Sequence, residues 1–173
     1  EEDLVELVDF RGEEMLFYKS FPIDVCIVRG TTADEDGNIS VEQEGLDLHL
    51  LSAAQATYNS GGVVIAQVKR TAKRGTLNPR MVRVPAHMVT AIVVDSEQWQ
   101  TAECEYNPSL CGEVRVPLHA IAPLEFGLRK FIARRAALEL RPCAVVNRGI
   151  GVPDGVANVA AEEGIIEDFL FSS

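Results

Sequence analysis

The stretch EGLDLHLLSAAQATYNSGGVVIAQV, residues 44–68, changes its hydrophobic period half-way along. Up to Asn59, Leu46, Leu50, Ala53, Ala54 and Thr57 recur every three or four positions, the spacing of one helix face. Glu42 and Glu44 stand where a helix dipole favours acidic groups, so a helix is expected over residues 42–59. Ser60-Gly61-Gly62 then supplies a stop. Residues 63–68 are almost continuously apolar, as in a strand covered on both faces. Upstream, residues 23–28 read as another short β-branched strand beginning after the Phe21-Pro22 break. Strand, helix and strand in that order require a crossover, and therefore a parallel pair in an α/β domain.

Working outward, residues 15–18 read as one more strand. Residues 31–38 are polar and are expected to form a surface loop closed by an Asp36-Gly37 turn. Four basic side chains between Lys69 and Arg74 read as a solvated rim. Strands are expected at 82–85 and 91–94. Between residues 103 and 127, Asn107-Pro108, Cys111-Gly112, Pro117 and Pro123 interrupt the chain too often for a long element. A second unit starts at Leu128, where Leu128, Phe131, Ile132, Ala136 and Leu140 form an apolar helical face that ends before Pro142. A strand at 144–146, a tight turn at 147–151 and a helix from Pro153 to about Glu163 follow. Gly164 closes that helix, and a strand is expected from Ile165 or Ile166.

The 173 residues carry 16 Lys+Arg and 26 Asp+Glu, a net charge of −10. Phosphate binding needs clustered positive charge, so a general nucleic-acid binder is excluded. No apolar run approaches the roughly 18 residues needed to span a bilayer. The acidic opening Glu1-Glu2-Asp3 has no basic-then-apolar pattern. A cytoplasmic protein without a membrane partner is therefore expected. Cys26, Cys104, Cys111 and Cys143 form no CxxC pair and read as buried structural thiols, with no metal site. GxSxG, HExxH and GxxxxGK[ST] motifs are absent from the sequence. Asp34, Asp36 and Asn38 have the spacing of a calcium loop, but Gly37 is misplaced and the twelfth position is Gly45, which leaves a plain turn.

Asn147 to Gly155, Asn-Arg-Gly-Ile-Gly-Val-Pro-Asp-Gly, lies between the expected strand and the expected helix start. Glycines there let a ligand approach the backbone, and unpaired amides can hold an anion or a developing oxyanion. A dinucleotide fingerprint fails because the third glycine of GxGxxG is replaced by Asp154. An anion site and a purely structural tight turn both fit these residues.

The order of four segments adds more: Ile23 to Asn38 with its Asp-Glu-Asp-Gly-Asn, Leu77-Asn-Pro-Arg80, Ile132-Ala-Arg-Arg-Ala-Ala137, and Asn147-x-Gly-Ile-Gly-x-Pro153. This series resembles the family I coenzyme A transferases, most of all the single-chain acetate, propionate and 3-oxoacid enzymes. The resemblance implies an α/β fold of open, mostly parallel sheets with crossover helices, built from parts of two tandem domains. Residues 1–117 would be the C-terminal half of the first, 118–127 a connector, and 128–173 the opening part of the second. The chain thus resembles a central fragment of a longer single-chain enzyme.

What the resemblance implies chemically is transfer of coenzyme A from a short-chain acyl-CoA to a free carboxylic acid through a glutamyl-CoA thioester. No resident cofactor is implied, since coenzyme A is itself a substrate, and the full-length protein is expected to be a homo-oligomer. Asn147, Gly149, Gly151 and Pro153 match the family segment beside the chemistry and are the expected substrate-binding residues. The resemblance places the nucleophilic glutamate in a Glu-x-Gly motif after the strand that follows the glycine-turn helix, and in this sequence that strand is the last element. Glu163-Gly164 is better explained as a helix end. Arg148, where the family more often has an apolar residue, is expected in solvent, the alternative being that it faces coenzyme A phosphates. The alternative is a non-catalytic α/β module that binds an anionic metabolite at the glycine turn.

Overall fold

The structure is a computed structural model describing residues 3–117 and 120–172. It divides into two compact units, residues 1–114 and 115–173. Each is described by itself.

The first unit opens with an antiparallel hairpin, β1 (Val5–Phe10) and β2 (Glu13–Tyr18), in register from Val5↔Tyr18 to Phe10↔Glu13. Arg11 and Gly12 both have positive φ at the bend, the conformation that matches the twist of a tight hairpin. β3 (Val25–Asp34), β4 (Ile39–Ser40), β5 (Val63–Ala72), β6 (Val82–Val84) and β7 (Ala91–Val94) form a mixed sheet in the order β6-β4-β3-β5-β7. β3, β5 and β7 are parallel, while β4 runs antiparallel to β3 and to β6. The crossover from β3 to β5 contains α1 (Leu50–Asn59), as the change of period demands. Val28, Ala54, Val64, Ala66 and Val68 bury the seam between this helix and the sheet. Residues of β5 that alternate with the core, including Val63, are less buried, and on β3 Ile27 is 75% exposed. The expectation of cover on both faces is therefore met on one face only among the described residues.

Two expectations for this unit are corrected. The helix begins at Leu50 instead of residue 42. Glu42 and Glu44 have side-chain partners across the sheet, and Leu46 and Leu48 project outward. The supposed loop after Gly30 is instead the end of β3, and Thr31, Thr32, Ala33 and Asp34 are all buried. Polar residues can be buried when every group finds a partner. Thr31 Oγ1 accepts the Gln43 amide at 2.9 Å. Asp34 accepts the Asp36 and Asn38 amides and Asn38 Nδ2 at 2.8–3.1 Å. Ser40 and Thr32 both donate to Glu42, and Arg70 reaches Glu42 at 2.9 Å and Thr32 at 3.0 Å. The Asp36-Gly37 turn is present, with Gly37 at φ +100°. The basic stretch is paired as well as solvated: Lys73 meets Glu35 and Arg74 meets Asp36.

Burial works to raise the carboxyls of Asp34 and Glu42, but the hydrogen bonds from Asn38, and from Ser40 and Thr32, outweigh it. Both therefore titrate below their ordinary values. Such groups add stability that is complete above the unfolded-state value near pH 4 and is lost as pH falls through the lowered folded value. Glu42→Ala should cost about 1–3 kcal/mol at pH 7 by stranding the Thr32 hydroxyl and Arg70. The difference from wild type should narrow below about pH 4, where Glu42 protonates in the unfolded chain. Chemical denaturation at pH 7 and pH 3.5 checks both parts.

In the second unit α2 (Leu128–Ala137) packs on α3 (Gly155–Glu162), and β8 (Val145–Asn147) pairs in parallel with β9 (Leu170–Ser172) across α3. Ala133, Ala137 and Val159 form the core, with Leu140 packed against it. Gly155 permits the helices to approach, since a Cβ there would lie 3.1 Å from Ala133 Cβ. The apolar face expected for α2 is thus not its buried face: Leu128, Phe131 and Ile132 are exposed, and small alanines make the contact. Gly164 closes α3 at φ +72°. A short 3-10 turn, Ile166–Asp168, occupies the place of the expected strand start and delays β9 to Leu170. Cys143 is exposed at φ +64°, and Cys26, Cys104 and Cys111 are half-buried, so the expectation of four buried thiols is not met.

Candidate functional site at the glycine turn

Asn147, Gly149, Gly151 and Pro153 all lie exposed on one short segment between β8 and α3. Asn147 ends the strand, and Val152–Asp154 form a 3-10 turn that leads into α3. Gly151 has φ +99°, a conformation that strains any side-chain-bearing residue. A Cβ on Gly151 would meet no protein atom within 4 Å, and one on Gly149 would sit 3.9 Å from Pro153 Cγ. Neither glycine is required for close packing. At the tip of the turn the Ile150 side chain is 96% exposed.

Charged side chains surround the turn. The Gly151 amide donates to Asp154 Oδ2 at 3.2 Å. Arg148, expected in solvent, instead pairs with Asp154 Oδ1, because the tight turn folds position 154 back over position 148. From α2, Arg129 Nη2 donates to the Gly151 carbonyl at 2.9 Å. The Gly151 amide is therefore already engaged. Among the described residues the Gly149 and Ile150 amides donate to no protein acceptor. The sequence marks Asp154 only as the residue that breaks a dinucleotide fingerprint, although an acidic residue three places after Gly151 is the available signal for its role, and it gives no signal for Arg129, 22 residues away. Glu163 lies at the end of α3 and pairs with Arg134 at 3.2 Å, which gives it a structural role.

The first unit holds a cavity of about 490 Å³ with Ile27, Leu46, Leu48 and Leu50 in its walls and Arg29 and Glu44 at its side. The Glu44 side chain is only 8% exposed. It is held by two Arg29 nitrogens at 2.6 and 2.9 Å and by Gln98 Nε2 at 3.2 Å. This pair is internally neutralised, and Asp47 in the same lining is paired with Arg83, so the cavity's carboxylates each have a cationic partner.

Residues 1–95 match the family model for coenzyme A transferase. This chain belongs to the coenzyme A transferase family. Over 99% of its length it is 48% identical to a caffeate CoA-transferase of Acetobacterium woodii and 39% identical to the acetate CoA-transferase YdiF of Escherichia coli strain K12. It covers 33% and 32% of those proteins, so the chain spans about one-third of the length of the curated relatives it matches. The structure of the E. coli O157:H7 acyl-CoA transferase YdiF in a thioester complex with CoA superimposes with a TM-score of 0.84 at 39% identity, over 99% of this chain and 34% of that one. The YdiF apoenzyme gives 0.82. The resemblance first drawn from four short segments is thus a family membership. The α/β fold that it implied is the fold observed. Among the described residues no helix is long and apolar enough to cross a membrane.

Proposed function

We propose that the protein to which this chain belongs transfers coenzyme A from a short-chain acyl-CoA to a free carboxylic acid, with the glycine turn beside the reacting thioester. The observation that carries this reading is the 48% identity, along almost the whole chain, to a relative named as a CoA-transferase. In the reaction a glutamate carboxylate attacks the thioester carbonyl, the C–S bond breaks, and coenzyme A leaves as thiolate from an acyl-glutamyl anhydride. The thiolate then attacks the glutamyl carbonyl, expelling the acyl group as its carboxylate and leaving glutamyl-CoA; the acceptor acid reverses both steps. A carboxylate is a weak nucleophile, so such a site must position it and stabilise two tetrahedral oxyanions. The Gly149 and Ile150 amides, which donate to no protein acceptor among the described residues, suit the second task. The same reading places the protein in the cytoplasm as a homo-oligomer.

Full-length protein given acetyl-CoA or butyryl-CoA with acetate, butyrate or caffeate should form the matching new acyl-CoA, followed by chromatography. Activity with caffeate alone would replace the short-chain acceptor by an aromatic one, in keeping with the name of one relative. Binding of coenzyme A without exchange would favour the non-catalytic module. The 173-residue chain by itself should give no turnover, because Glu163, the glutamate that precedes Gly164 after the glycine-turn helix, is a helix end paired with Arg134. Turnover by this chain that Glu163→Gln abolished would overturn that assignment.

A further inference from the structure

We infer that Arg129 and Asp154 are positioning residues that clamp the Gly151 peptide and so aim the preceding amides of the turn; the inference rests on the coenzyme A transfer reading. Three observations carry it. Gly151 sits at φ +99°, one of many backbone conformations open to a glycine, so its own sterics do not fix the turn and neighbouring groups must. Both polar groups of Gly151 are held by ionised side chains from opposite directions in sequence: its carbonyl by Arg129 on α2, and its amide by Asp154 on the helix-entry turn. Asp154 is in turn held by Arg148, so its carboxylate spans the base of the turn from residue 148 to residue 151.

The consequence is a division of labour within six residues, 149–154. Gly151 cannot be an oxyanion donor while its amide serves Asp154, whose negative charge would repel an oxyanion at that point. The Gly149 and Ile150 amides, without protein acceptors among the described residues, remain for that purpose. Ile150 presents an almost fully exposed apolar side chain at the same tip, suited to contact with the uncharged part of a bound thioester. A clamp of this kind contributes by fixing geometry, and misplacement by about 1 Å can cost a hundredfold in rate.

In the full-length enzyme, Arg129→Ala and Asp154→Ala should each lower kcat about 10- to 100-fold with KM for acyl-CoA changed less than about threefold. Arg129→Lys, which keeps a donor for the Gly151 carbonyl, should recover most of the loss. Asp154→Asn keeps an acceptor for the Gly151 amide and should fall between Asp154→Ala and wild type. Amide hydrogen exchange provides the readout independent of turnover: the Gly151 amide should be protected in wild type and exchange at least tenfold faster in Asp154→Ala. A rise in KM with kcat unchanged would make Arg129 a direct substrate contact and overturn the inference. Unchanged Gly151 exchange in Asp154→Ala, or a fallen thermal midpoint with normal kcat per folded molecule, would also overturn it. Wild-type protein that lacks transferase activity but shows the protected amide would defeat the functional reading while leaving the clamp as a structural device only.

Discussion

Gly62→Ala is expected to cost the first unit about 3 kcal/mol or more, a large share of its stability. A Cβ at Gly62 would be driven into the backbone carbonyl oxygens of Ile23 and Asp24, and would lie 2.8 Å from Thr57 Cγ2. The carbonyls cannot give way freely, because they belong to the segment that enters β3 and the Val63 amide bonds to the Asp24 carbonyl at 2.8 Å. Overpacking usually costs about 1–3 kcal/mol, and a clash with backbone should reach or exceed the top of that range. A domain with about 5–15 kcal/mol of total stability loses much of it. The neighbouring Gly61 is a control: its φ is +75° but a Cβ would meet nothing within 4 Å, so Gly61→Ala should cost only about 1–2 kcal/mol of backbone strain. Thermal unfolding of the two variants should separate them widely. Equal midpoints would mean that Gly62 is not a close-approach position.

The second large effect is expected at the turn. Gly151→Val in the full-length enzyme should lower kcat about 100-fold, in the range found when an oxyanion-stabilising arrangement is lost. The substitution combines strain at φ +99° with a branched side chain in space that no protein atom fills. Gly149→Ala separates these causes. Its backbone does not lie in the left-handed region, and its Cβ would be in ordinary contact with Pro153. It should retain the wild-type midpoint yet lose rate by at least tenfold if substrate passes close to this backbone. Normal kcat in Gly149→Ala, together with a lowered midpoint and normal specific activity in Gly151→Val, would make the segment a structural turn.

The parallel core was legible because its signal is local: the change of period at Gly61-Gly62 marks α1 and β5, and continuous apolar residues mark the strands. The end of β3 was not legible. Thr31, Thr32 and Asp34 look like loop residues in sequence, and their burial depends on partners such as Glu42 and Arg70 that only the sheet brings near. For the same reason Glu42 and Glu44 resembled a helix start when their partners lie on other elements. On α2, periodicity identified an apolar face but could not tell that Ala133 and Ala137 would make the contact with α3. At the site, the glycines announced the turn, and the side chains that hold it did not: Arg129 is sequentially remote and Arg148 is ambiguous until Asp154 is seen beside it.

Coenzyme A transfer through a covalent glutamyl thioester is tested most directly by intact-protein mass measurement. Full-length enzyme is mixed with acyl-CoA in the absence of acceptor acid. The account predicts a species heavier than the free enzyme by one coenzyme A less one water, released as free enzyme when acetate and acyl-CoA exchange is allowed to proceed. Sustained transfer with no such adduct at any time, under conditions that trap thioesters, would contradict it.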